Sequence, residues 1–227
     1  MRLPPGRSGT ASCSPAAATA EPTKPARITE VRQVAAAVGR WQADRPSATL
    51  PLVVAIDGPG ASGKSTIARA IAAEMPAALV HTDDFFLPTS GVDGVRRSLV
   101  DYYDWRRLRA EALAPLLAGH SASFCRFDGE RGVLGGAITV TPSALIVLEG
   151  VFSAAPVLSD LVDRAVFVET AEPERIRRLR RLVTPEEWDN DWLAAERAYF
   201  AGVRPPSSFD LIVPGTGRVP DGSAGAA

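Results

Sequence analysis

Nine consecutive residues carry the clearest chemistry in the chain: Gly58-Pro59-Gly60-Ala61-Ser62-Gly63-Lys64-Ser65-Thr66 satisfy G-x-x-x-x-G-K-[ST] directly after the apolar run Leu52 to Ile56. Glycines in such a loop let successive backbone N–H groups turn inward around phosphate oxygens, and the helix that follows adds the positive end of its dipole. Lys64 would reach the β- and γ-phosphates, and Ser65 would ligate Mg²⁺. The residues expected to hold a nucleoside triphosphate are therefore Gly58, Gly60, Ala61, Ser62, Gly63, Lys64, Ser65 and Thr66. Cation usage agrees: Lys and Arg together number 25, yet lysine stands only at positions 24 and 64. Arginine serves elsewhere, and a compact ammonium is kept where phosphate must be touched.

A phosphate loop alone does not separate a kinase from a motor or a switch. The next clue is His81-Thr82-Asp83-Asp84-Phe85-Phe86, where two adjacent carboxylates end a short apolar run. At the carboxyl end of a parallel strand they would face the ligand cleft. Transfer of a phosphoryl group to an alcohol needs a carboxylate that orients the hydroxyl and accepts its proton, and Asp83 or Asp84 could do this. The competing structural reading is an Asp-Asp turn or helix cap. The run Leu145 to Leu148 likewise ends in Glu149-Gly150, an arrangement in which the carboxylate holds Mg²⁺ and the glycine leaves room for ligand.

Arg175, Arg177, Arg178, Arg180 and Arg181 crowd one helical segment with Ile176, Leu179, Leu182 and Val183 as its apolar stripe. By itself such a helix is a solvated face; beside the other motifs it reads as a short lid supplying cations to the migrating phosphoryl group. Tyr102-Tyr103-Asp104-Trp105 and Phe124-Cys125-Arg126-Phe127-Asp128 add aromatic and acidic side chains suited to a planar base and a sugar.

The elements that must position these groups alternate. Five short β-prone runs, Leu52 to Ile56, Ala77 to His81, Leu145 to Leu148, Ala165 to Val168 and Leu211 to Val213, are separated by helical patterns at Thr66 to Met75, Trp105 to Leu117, Pro173 to Val183 and Pro185 to Ala201. An amphipathic helix at Ile28 to Trp41 precedes the first strand and should cover the sheet. The expected fold is a doubly wound α/β sandwich around a five-stranded parallel sheet. Ser121 to Val140 breaks the alternation and reads as a β-hairpin excursion beside the cleft. Residues 1–26 and 214–227 are rich in Pro, Ala, Ser, Thr and Gly without periodicity and read as tails around a domain at 27–213.

At 227 residues, 46 % hydrophobic, the chain fits one α/β domain. A net charge of −1 gives no basic field for nucleic acid. The two cysteines, Cys13 and Cys125, lack metal-site spacing, and no apolar run is long enough to span a bilayer. A cytoplasmic protein with reduced thiols, no membrane partner and a small-molecule substrate is expected. A guanine-reading switch is disfavoured because Asn-Lys-x-Asp does not occur.

With these motifs assembled, residues 52–213 resemble the uridine kinase family, in the larger group that includes phosphoribulokinase, pantothenate kinase and nicotinamide riboside kinase. The matching segments are Gly58 to Thr66, Asp83-Asp84-Phe85-Phe86, Asp104-Trp105, Phe127-Asp128, Glu149-Gly150 and Arg175 to Arg181. The resemblance implies a P-loop NTPase three-layer sandwich and an ATP- and Mg²⁺-dependent kinase of a nucleoside-like alcohol. In it Asp83 would be the general base, Ser65 and Glu149 the metal ligands, and Lys64 and Arg178 the catalytic cations. Asp84, Phe85, Asp104, Phe127 and Arg175 would meet the substrate, and Arg178 and Arg181 would reach ATP from the lid. Relatives often assemble, so a homo-oligomer fits the resemblance. The chain departs from the pattern where Trp105-Arg106 replaces His-Pro after Asp104, where Phe127 replaces a common tyrosine, and in the stretch Glu187 to Trp192.

Overall fold

Apolar runs with no polar alternation must be covered on both faces, and the strands are built that way. Each residue of β2 (Leu52–Asp57) and β6 (Leu145–Glu149) is buried. With β1 (Ala26–Arg27), β3 (Ala78–His81), β7 (Arg164–Glu169) and β8 (Leu211–Pro214) they form a parallel sheet in the order β1-β8-β7-β2-β6-β3. The computed structural model describes residues 24–30, 32–45, 50–87, 102–129, 131–182 and 190–215. The sheet has six strands rather than five. The extra one, β1, is two exposed residues paired with the edge of β8, too short to leave a periodic signal.

Alternate residues of each strand feed two cores. Leu52, Val54 and Ile56 of β2 and Leu145 and Val147 of β6 pack with α1 (Arg32–Ala43) and α2 (Lys64–Glu74) through Val34, Val38, Ile67 and Ile71. On the other face Val53, Ile146 and Leu148 meet Leu108, Leu113, Leu116, Phe152 and Tyr199. The result is a three-layer sandwich. The expected helix at Trp105 to Leu117 is one run in three pieces: α3 (Trp105–Arg107), a π-helical stretch (Leu108–Leu113) and α4 (Ala114–Leu117). The excursion is a two-stranded antiparallel sheet, β4 (Ala122–Asp128) and β5 (Val133–Val140), with a register shift between Cys125 and Phe127.

α5 (Glu172–Leu182) and α6 (Asn190–Ala198) complete the site side, and α6 runs on into a π turn at Tyr199–Val203. Most of the expected tails, the segment 88–101 and the lid crossing at 183–189 lie outside the described residues. The carboxyl ends of β2, β6 and β3 come together, because β6 pairs with both neighbours: Ile56 faces Glu149, and His81 faces Glu149 from the opposite side. Three motifs that are distant in sequence thus share one edge of the sheet.

Candidate active site

Between β2 and α2 the loop reverses through Gly58 and Gly63, at φ +147° and +106°, with Ala61 also in the left-handed region at +57°. Its carbonyls are held from outside. Arg178 Nη1 donates to Ala61 O at 3.2 Å and Ser62 O at 3.4 Å, Thr170 Oγ1 donates to Ser62 O at 2.8 Å, and Arg175 Nη1 donates to Gly60 O at 3.3 Å. Tying carbonyls outward turns the N–H groups inward, as an anion site requires. α2 starts at Lys64 with no side-chain cap, leaving its first N–H groups for a ligand. Lys64 Nζ rests on Pro59 O at 3.0 Å, and the buried Ser62 Oγ has no protein partner.

Gly60, Ala61, Gly63, Lys64, Ser65, Thr66 and Arg178 line a cleft of about 460 Å³ together with Asp83, Glu149, Val151, Arg69, Leu182 and Trp192. Asp83 opens onto the cleft floor and accepts a hydrogen bond from Tyr103 Oη at 3.1 Å. Although the residue is exposed to the cleft, its pKa is raised, first by desolvation from the protein around it and then by the negative charge of Glu149, against the pull of Lys64 and the Tyr103 hydroxyl. Glu149 behaves oppositely. Burial alone would push it up, but the His81 hydrogen bond at 2.5 Å, the His81 and Lys64 charges and the Ser65 hydroxyl hold it below the usual carboxylate range. The same bond raises the His81 pKa. One carboxylate is poised to take a proton and the other to stay ionised.

The donor set suits Mg²⁺ carried in on a polyphosphate. Ser65 and Glu149 already converge, while no group of three or more His, Cys, Asp or Glu among the described residues could hold a metal by itself. Mg²⁺ is commonly held by one or two carboxylates plus substrate phosphates, so this pairing fits.

Several expected contacts fall elsewhere. Phe85 is fully buried in the core, tilted against Phe124 with the Arg107 guanidinium 4.7 Å above its ring, so it supports the site from beneath and cannot touch a substrate. Asp84 is buried and paired with Arg126 at 3.2 Å, while Arg107 donates to the Asp84 and Cys125 carbonyls; together these bind the β3 end to the hairpin. Asp104 caps α3, its Oδ1 accepting from Arg107 N at 2.9 Å. Arg175 is buried in an ion pair with Glu196, Arg181 is exposed outside the cleft lining, and Phe127 packs 5.6 Å from Phe86. Gly150 makes room for protein rather than ligand: its φ is +142°, and a Cβ there would lie 1.8 Å from Thr82 Oγ1.

Sequence reading gave no role to Asp57, His81 or Glu196, and it held Tyr103 only within an aromatic and acidic cluster and Trp192 only within a stretch that departs from the family pattern. Asp57, wholly buried at the end of β2, accepts from Gly58 N (2.7 Å), Phe152 N (2.9 Å), Ala154 N (3.0 Å) and Tyr199 Oη (3.1 Å). It clamps the phosphate loop to the loop after β6, where Phe152 is held at φ +65°. Its signal was an acid ending an otherwise apolar strand; Glu196 left none beyond the i, i+4 spacing from Trp192.

No family model matches the sequence, and a search of curated proteins finds no match. Solved structures do match. A possible uridine kinase from Bacillus stearothermophilus superposes with a TM-score of 0.60 at 20% identity, over 81% of this chain and 98% of that one. The chain has a P-loop kinase fold. A proposed fructose transport system kinase from Silicibacter agrees, at a TM-score of 0.55 and 21% identity over 81% of this chain and 98% of its own. In this P-loop kinase fold the phosphate loop, the acidic β3 end and the Glu149 strand occupy one cleft, as the sequence motifs required. No helix among the described residues is long and apolar enough to cross a membrane.

Proposed function

We propose that the protein is an ATP- and Mg²⁺-dependent phosphotransferase acting on a hydroxyl of a nucleoside or nucleoside-like small molecule. The observation that carries this reading is the placement of Asp83, with its raised pKa, in the same cleft as Lys64, Ser65 and Glu149. Transfer to an alcohol needs a carboxylate that orients the hydroxyl and accepts its proton, and Asp83 offers one beside the phosphate loop. Asp83 orients the acceptor hydroxyl and takes its proton as the new O–P bond forms and the bond between the γ-phosphorus and the bridging oxygen of the departing ADP breaks, with Tyr103 fixing the carboxylate. Lys64 and Arg178 neutralise charge on the migrating group. Ser65 and Glu149 hold Mg²⁺, which when bound supplies neutralisation of the phosphate charge.

Trp192 lines the cleft with Asp83 and packs 5.8 Å from Phe86, and its flat apolar face supports a ring-bearing alcohol. The Asp104 cap argues that ribose is not gripped through that residue as in the uridine kinase pattern, so a sugar-like or riboside alcohol other than uridine is the second reading. The test is ADP release from ATP and Mg²⁺ across a panel of nucleosides, ribosides and sugars, with mass spectrometry of the products. A phosphorylated nucleoside establishes the first reading, and a phosphorylated non-nucleoside the second. Nucleotide binding with no phosphorylated alcohol from a broad panel would count against both.

A further inference from the structure

Glu196, on α6, is 1% exposed, and its carboxylate ties three elements together. Oε1 accepts from Gly60 N at 2.7 Å and from Trp192 Nε1 at 2.7 Å, while Arg175 Nη1 of α5 donates to Oε2 at 2.9 Å. A buried carboxylate beside a loop built for polyphosphate would be repelled unless neutralised, and Arg175, itself buried, supplies the opposite charge. The glycine at position 60 follows from this contact. Gly60 does not adopt a positive φ, yet a Cβ there would come within 2.9 Å of Glu196 Oε1.

Trp192 stands on the other side of that oxygen. It lines the cleft with Asp83 and Val151, and its ring packs against Phe86 at 5.8 Å, Tyr102 at 4.8 Å and Phe152 at 5.4 Å. An alcohol presented to Asp83 must lie along this wall. A single oxygen therefore serves both the acceptor wall and the phosphate loop, and displacement of one donor alters the hold on the other.

Resting on the kinase reading, we propose that Glu196 is a positioning residue that couples the Trp192 wall to the phosphate loop, so that nucleotide and acceptor each sense the other. The coupling is reciprocal, because any change that acceptor binding makes in nucleotide affinity is returned by nucleotide on acceptor affinity.

The test uses the full-length protein, uniformly ¹⁵N-labelled so that backbone amides and Trp indoles are both observed, and a non-hydrolysable ATP analogue with Mg²⁺ as probe. The Trp192 signal is assigned by its loss in Trp192→Phe. Removing Glu196 alone would strand the Arg175 charge, so the uncoupled variant replaces both partners, Glu196→Leu with Arg175→Met, which keeps the core apolar and filled. The expected result is that the analogue moves the Trp192 indole resonance in the wild type, and that the double variant loses this response and binds the analogue about fivefold or more weakly. Amide shifts at Gly63 and Lys64 with an unmoved Trp192 indole, or a response as large in the double variant as in the wild type, would overturn the coupling while sparing the nucleotide site. No shift at Gly63 or Lys64 would instead remove the nucleotide reading, and the coupling with it.

Discussion

The phosphate side and the acceptor side of the cleft are specified differently. On the phosphate side, nine contiguous residues set a backbone path, and the groups that matter are main-chain N–H groups, one lysine and one hydroxyl. On the acceptor side, Asp83, Val151 and Trp192 line the cleft from three separate segments, with Tyr103 holding Asp83 from a fourth, and all act through side chains. A backbone-made site announces itself in sequence because its glycines and lysine are fixed in order. A side-chain-made site is assembled by topology, and its members can change identity without breaking the fold.

Variants on the two sides should therefore fail in different ways. On the phosphate side the largest effect belongs to Lys64→Ala, which removes the ammonium that lines the cleft; turnover should fall roughly 10²- to 10³-fold. Steady-state kinetics check this, and turnover within a few-fold of wild type would break the assignment. Arg178→Ala comes next, since it deletes both a cleft cation and the anchor of the Ala61 and Ser62 carbonyls. Arg181→Ala, at an exposed position outside the cleft lining, should cost much less. Equal losses would mean that the lid acts by its overall charge and not by placing one guanidinium.

On the acceptor side, Tyr103→Phe should leave nucleotide affinity unchanged and move the acid limb of the pH–rate profile upward. Desolvation and Glu149 already raise Asp83, and the Tyr103 hydroxyl is one of the groups holding it down. A base must be ionised, so wild-type activity should fall as pH drops through the raised Asp83 pKa, and the variant should lose activity at higher pH. An unmoved limb would contradict the base assignment.

The smallest catalytic effect belongs to Asp57→Asn, which tests the join between the two sides. Two of the four donors lose their acceptor, at a cost of about 1–3 kcal/mol in stability. Burial raises the Asp57 pKa to about 6, above its ordinary 3.8. The folded protein thus holds a proton that the unfolded chain has released, and this group's contribution to stability falls as pH rises from 3.8 to about 6. Denaturant melts across that window should show a slope that flattens in the variant.

The same division explains what could be read in advance. The alternation of apolar runs and helical patterns revealed the sandwich, since strands buried on both faces leave continuous apolar runs such as Leu145 to Leu148. The two-residue β1 was too short to show a periodicity, and the helical pattern at Trp105 to Leu117 did not separate the π-helical stretch Leu108–Leu113 from its α-helical flanks. In the site, Lys64, Ser65, Asp83 and Glu149 converge where their motifs required. Phe85 follows the cleft-lining Asp83 and Asp104 follows its partner Tyr103, but they face the core and a helix terminus, because neighbouring positions on a short turn point in different directions. Glu196 touches the phosphate loop and Trp192 lines the cleft from a helix more than a hundred residues beyond that loop, a pairing that folding alone creates.

The central claim is that one side of the cleft holds the nucleotide while Asp83 on the other activates an alcohol. The most direct measurement pairs two assays on Asp83→Asn: binding of an ATP analogue with Mg²⁺, and transfer of phosphate to the acceptor identified by the panel. The account predicts unchanged or near-unchanged analogue affinity with transfer reduced roughly 10²- to 10⁴-fold. Transfer at the wild-type rate, or transfer and analogue binding lost together in a folded variant, would contradict it.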